Sequence, residues 1–248
     1  MSQVTTITFF KYRGFWQKLW AFVMMQNAHR YLSKVEGSDF YKLMGSGKGQ
    51  GFNPLPDWSV YALLQVWESD ELAQTFFSRH ILINKYQKHT ENMWTIFMKP
   101  IISKGSWSNQ NPFRASDHLD ENNPGIAVIT RATIKWSKMV RFWRFVPRSQ
   151  KPLALSSGLI YTKGIGEAPL VQMATFSIWK SKTDLQHFAY SSEEHQEAIK
   201  LTRSLDWYKE ELFARFQPYR SIGKWNNTLP LKGIKGISTG GYKEKNTA

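Results

Sequence analysis

Cysteine is absent from all 248 residues. That absence removes disulfides, iron–sulfur clusters, thiolate-ligated haem, cysteine nucleophiles and cysteine zinc sites. Long apolar runs are missing too: the longest helix-like apolar stretch, LWAFVMMQNA at 19–28, is too short to span a bilayer. The N-terminus MSQVTTITFF lacks the basic-then-apolar order of a signal peptide. The expected location is cytoplasmic, with peripheral contact at the inner membrane. Acidic residues are scarce, 19 against 33 lysines and arginines, for a net charge of +14. Such a balance favours anionic partners: nucleic acid, headgroups or an anionic cofactor. There is no H-E-x-x-H zinc spacing, no G-x-S-x-G elbow and no glycosidase-like carboxylate pair.

Aromatics are plentiful: 11 Trp, 16 Phe and 10 Tyr. They point to a large core or to a pocket for a flat apolar ligand, and composition leaves both open.

One order of elements runs through the chain twice. In the first half VTTITFFKY (4–12), FYKLMG (40–45), VYALLQVW (60–67) and MWTIFMKPII (93–102) read as strands. Helical spacing marks GFWQKLWAFVMMQNAHRYLSKV and 69–87, the latter capped by Ser69. In the second half IAVITRATIK (126–135), GLIYTKGIG (158–166), VQMATFSIW (171–179) and LFARFQPY (212–219) are strands, and 136–146 and 181–205 are helices. KLMGSGKGQG matches TKGIGEAP, and YALLQVWESDEL matches MATFSIWKSKTDL. Each half is a βαββαβ ferredoxin-like unit, so the expected fold is α+β, tandem repeats closing a pseudo-dimeric α/β barrel. The expected boundaries are 1–102 for the first repeat, 103–125 for a connecting loop and 126–225 for the second repeat. The Lys- and Gly-rich tail 226–248 is expected to be disordered.

The glycine stretch at 42–51 resembles a phosphate loop only in its Gly47-Lys48 pair. Lys42 stands where the first glycine belongs, Gly49 replaces Ser or Thr, and the prolines of GFNPLPDW block the helix that must follow. Glycines here permit unusual backbone angles or close approach to a ligand. Gly45, Gly47 and Gly49 are therefore expected at the rim of a barrel, beside a bound group, and no nucleotide is expected. His187 and His195 are eight residues apart and share a face of the helix expected over 181–205. RFWRFV (141–146) interleaves bases with aromatics, as either a solvated amphipathic face or an anion- or membrane-facing surface. An RNA-recognition sheet needs basic and glycine positions that VYALLQVW and VQMATFSIW lack, so no nucleic-acid partner is expected.

Several segments, taken in order, resemble the spheroidene monooxygenase family of bacterial carotenoid ketolases: 42–67, WSNQNPF (107–113), IAVITRATI (126–134), FWRFVP (142–147), GIGEAP (164–169), ATFSIW (174–179), FAY (188–190) followed by His195, and WYKEELFARF (207–216). The likeness covers about residues 4–220. It implies a haem b monooxygenase that uses O2 and an external, ferredoxin-type electron donor to convert an acyclic carotenoid end group to a 2-oxo group. It implies His195 as catalytic axial ligand to the haem iron, with His187 as the other candidate. Arg131 and Arg141 are candidates for the propionates, and Tyr190, Trp207 and Tyr208 for the pocket wall. A haem-binding or cofactor-free small-molecule oxygenase on the same barrel, and an RNA- or lipid-binding module, are the alternatives.

Overall fold

The computed structural model describes residues 2–51, 53–149, 156–191 and 206–242. The first repeat consists of β1 (Val4–Lys11), α1 (Phe15–Asn27), α2 (His29–Leu32), β2 (Ser38–Gly47), β3 (Pro56–Trp67), α3 (Asp70–Arg79), α4 (Ile81–His89) and β4 (Asn92–Gly105). The second consists of β5 (Ile126–Ile134), a 3-10 turn (Trp136–Lys138), α5 (Met139–Ser149), β6 (Leu159–Ala168), β7 (Gln172–Trp179), α6 (Lys182–Ser191) and β8 (Tyr208–Gly223). Strands run β4-β1-β3-β2-β6-β7-β5-β8, and β4 pairs β8 to close an eight-stranded antiparallel barrel.

Alternation along each strand divides the residues between two faces. On β3, Val60, Ala62, Leu64 and Val66 join the barrel interior, while Tyr61, Leu63 and Trp67 join the cluster beneath the helices. Both faces are buried, which is why VYALLQVW is apolar on both faces apart from Gln65. The interior is filled with side chains: Phe9, Trp94, Phe176 and Phe216 are almost wholly buried there.

Two expectations are corrected. The helix expected over 69–87 breaks at His80, whose backbone is extended (ψ 136°) and whose ring Nδ1 accepts from the Leu82 N–H. The tail is not disordered from residue 226: Leu231 is fully buried, Ile234 and Ile237 pack on the barrel interior, and β9 (Ser238–Gly240) pairs parallel to β8. Three apolar side chains at three-residue spacing suffice to anchor a segment that is otherwise Lys- and Gly-rich. The connecting loop also contributes to packing, since Trp107 and Phe113 are buried in the interior cluster.

The repeats meet at two unequal seams. β4 and β8 pair from Trp94–Gly223 to Gly105–Leu212, eleven positions. β2 and β6 pair at only two, Gly45–Gly166 and Ser46–Ile165.

Candidate active site

The short seam opens outward into a cavity of about 280 Å³. Its floor is backbone from both repeats: Gly45 and Gly47 of β2, and Gly164 and Gly166 of β6. Both strands present glycine on their outer face here. A Cβ on Gly45 would meet no heavy atom within 4 Å, so the missing side chain leaves real space. Gly47 is glycine for another reason: a Cβ there would come within 2.7 Å of the Asn53 carbonyl oxygen, across the β2–β3 turn. The walls are apolar and aromatic. Phe22 and Met25 come from α1, Trp58 and Tyr61 from β3, Trp143 from α5 and Met173 from β7. Phe22 and Trp58 touch, with ring centroids 5.5 Å apart.

Beyond the cavity the outer sheet surface of the second repeat is sparse. Met173 lies between Gly166 and Ala132, and Thr175 between Gly164 and Thr130. The corresponding rows of the first repeat carry Tyr61 between Gly45 and Phe10, and Leu63 between Leu43 and Thr8. Leu43, Leu63 and Phe10 are thus replaced by Gly164, Thr175 and Ala132. Thr130 is exposed and Thr175 and Ser177 are only half-buried, although all three sit mid-sheet. Among the described residues the apolar packing there forms two small clusters, one of Ile134, Phe142, Met173 and Trp207, the other of Ile126, Val128, Trp179 and Leu185.

Where β2 and β6 part, an ion pair joins the buried Lys163 to the half-buried Asp57. Lys163 donates to Asp57 at 2.8 Å and to the Gly49 carbonyl at 3.1 Å. Burial works to raise the Asp57 carboxyl, but the Lys163 ammonium and the Ser59 hydroxyl and N–H hold it below its ordinary value. Burial, and then the Asp57 charge, raise the Tyr61 and Tyr161 phenols, which stay neutral.

A second charged cluster closes one end of the barrel. Arg131 points inward, paired with Glu210 and 3.7 Å from Glu167. Lys42 binds Glu167 at 2.6 Å, and the Trp107 indole N–H donates to the same carboxylate at 2.6 Å. Burial acts to raise the Glu210 carboxyl, yet the Asn109 N–H and Arg131 hold it below its ordinary value.

Of the residues singled out from sequence, Gly45 and Gly47 line the cavity. Gly49 lies beside it, at φ +77°, with its carbonyl committed to Lys163. Arg131 reaches the cavity only through Glu167, a cavity-lining residue, because its guanidinium serves the barrel-end cluster. Arg141 is exposed on α5, the helix that supplies Trp143. His187 is exposed on α6. Trp207 packs edge-on against Phe142 at 5.5 Å, with Tyr208 beside it. His195 and the side chain of Tyr190 lie outside the described residues. Among the described residues, no three His, Cys, Asp or Glu side chains converge as a metal site. The sequence reading missed Phe22, Trp58, Tyr61, Trp143 and the Lys163–Asp57 pair. The one available signal for Asp57 and Trp58 was their place directly after the prolines that close the glycine stretch.

Three curated relatives share this chain's sequence. They are the spheroidene monooxygenases of Cereibacter sphaeroides (34% identical, covering 92% of this chain and 71% of that one), Rhodobacter capsulatus (31%; 92% and 95%) and Rubrivivax gelatinosus (32%; 76% and 72%). No protein-family model matches. Among solved structures, an aldoxime dehydratase in complex with butyraldoxime superposes with a TM-score of 0.61 at 9% identity, covering 87% of this chain and 79% of that one. A second aldoxime dehydratase structure gives 0.59 at 10%, covering 87% and 81%. At such identities these two share the fold.

Proposed function

The chain belongs to the spheroidene monooxygenase family and is a monooxygenase. From that premise, we propose that it is haem-dependent and oxidises an acyclic carotenoid end group to a 2-oxo group, with O2 and external electrons. The observation that carries the cofactor is the hollowed outer face of the second repeat. A flat macrocycle needs a floor without side chains and apolar walls: Gly45, Gly164 and Gly166 floor the cavity beside Trp143 and Met173, and the short side chains of Thr175 and Thr130 continue the same sheet face beyond it.

His195 is the proposed axial ligand, with His187 as the other candidate. The chain's ends on either side of 192–205 bracket the floor, because Phe188 packs on Trp179 at one end and Trp207 on Phe142 at the other. Arg141 is the proposed partner of a propionate. Arg131 is not, since two carboxylates already hold it. Lys48, exposed on the glycine turn, is a further cation on that side.

When bound, haem supplies the activation of O2. The chain itself positions and shields. Phe22, Trp58 and Met25 exclude water and hold an apolar chain in the cavity. Tyr61 stays protonated, so it offers the cavity a neutral hydroxyl and no charge. Two successive hydroxylations of one carbon, each consuming O2, two electrons and two protons and releasing water, give a geminal diol, which loses water to the ketone. No nicotinamide or flavin motif is present, so the electrons come from a separate donor.

The test is haem titration of purified protein. A Soret band should form and should be lost or shifted in His195→Ala. Absence of a band in both proteins would remove the haem mechanism, and a carotenoid assay with retained activity would then favour the cofactor-free alternative.

A further inference from the structure

We infer that the cavity mouth is a docking surface for an anionic lipid bilayer. The inference rests on the carotenoid reading only for its purpose; the surface itself is physical. Three elements surround the mouth, and each carries exposed apolar side chains. On α1, Phe15 is 71% and Trp16 73% exposed, and Leu19 and Phe22 continue the stripe to the cavity. At the β2–β3 turn and the start of β3, Leu55 and Trp58 are more than half exposed. Ahead of α5, Trp136 is 74% exposed, and Val140 continues at helical spacing toward Trp143, which lines the cavity.

Single exposed hydrophobics are ordinary, whereas a contiguous set around one opening marks an interaction site. Charge decides which partner fits. Residues 15–35, which contain α1 and α2, hold Lys18, Arg30 and Lys34 and no acidic residue. Residues 136–144 hold Lys138, Arg141 and Arg144, again with no acidic residue. All 19 acidic residues therefore lie outside the two helical segments that frame the mouth. Aromatics beside bases and without acids are the composition of a helix that lies in an anionic headgroup layer. A second copy of this chain would bring like charge against like charge. Docked this way, the cavity opens into the acyl region, and an apolar substrate enters without crossing water.

The test is co-sedimentation with vesicles, which needs neither haem nor carotenoid and so stands apart from the test of the cofactor. Wild type should partition onto phosphatidylcholine vesicles containing phosphatidylglycerol, weaken as salt rises, and bind pure phosphatidylcholine less. The variant Phe15→Ser/Trp16→Ser/Trp136→Ser alters only exposed positions and should bind at least about tenfold more weakly. Lys138→Glu/Arg144→Glu should lose the preference for anionic vesicles. Circular dichroism and thermal melts confirm folding of each variant. Binding equal to wild type in the triple variant, no binding by wild type, or concentration-dependent dimerisation abolished by the same triple variant would overturn the proposal.

Discussion

The two repeats share a strand order and register yet treat their outer faces differently. In the first, Phe10, Leu43 and Leu63 make one continuous core with Phe76, Phe77 and Leu82 of the helices. In the second, Ala132, Gly164 and Thr175 occupy the corresponding positions, and the apolar packing among the described residues forms two separate clusters. Burying one large apolar side chain is worth about 1.5–3 kcal/mol, so three truncations forgo roughly 5–9 kcal/mol. A sheet centre that gives up so much packing is shaped for something other than packing. The seams repeat the contrast: the long β4–β8 pairing holds the barrel shut, and the two-residue β2–β6 pairing leaves the opening. On the proposed reading, one repeat is scaffold, the other holds the candidate site, and the gap between them is its entrance.

That comparison can be broken in several places. The largest effect is expected from Gly45→Leu, which projects a side chain into the cavity without meeting protein atoms. Activity and haem uptake should fall more than about tenfold, while the melting temperature stays within a few degrees. A fully active Gly45→Leu enzyme would detach the cavity from the reaction. Next comes Leu63→Ala, in the solid repeat, which should cost about 2–5 kcal/mol in denaturant unfolding. The matched Thr175→Ala should cost less than about 1 kcal/mol; equal costs would mean the two faces are packed alike.

Lys163→Met tests the seam. It leaves Asp57 half-buried without its cation, and the loss should be about 1–3 kcal/mol after allowance for solvent at the carboxylate. The folded-state pKa of Asp57 is lowered, so its contribution is present above the ordinary aspartate value and is lost as pH falls through the folded value. Wild-type stability should therefore drop on acidification below about pH 4, and that part of the drop should shrink in Lys163→Met, where only the Ser59 hydroxyl and N–H still favour the carboxylate. The smallest change is expected for Tyr161→Phe. The Tyr161 ring packs against Phe9, Trp94 and Trp225, and its buried hydroxyl makes no hydrogen bond among the described residues. Removing it should leave stability unchanged or raise it by up to about 1 kcal/mol.

Particular residues show how far the sequence could be read. The duplicated order was legible because strand and helix periods are local properties, and the match of YALLQVWESDEL to MATFSIWKSKTDL set the two halves in register. The glycine stretch was legible as backbone left bare, because the following prolines excluded the phosphate-loop alternative. Its true neighbour was not: only the β2–β6 pairing lays Gly45 against Gly166. Arg131 shows the same limit. Its residue type suits an anion, but β5 alternation turns it into the barrel, where Glu210 and Glu167 claim it.

By itself, then, the sequence determined the elements, their repetition, the exclusion of cysteine chemistry and the basic, aromatic character of the helices. Each depends on composition or on neighbours within a few residues. The tertiary structure decided which seam is short, which outer face is hollow, and that Phe22, Trp58 and Trp143 converge on one cavity. Those are contacts between residues as many as 121 positions apart, and barrel closure alone brings them together.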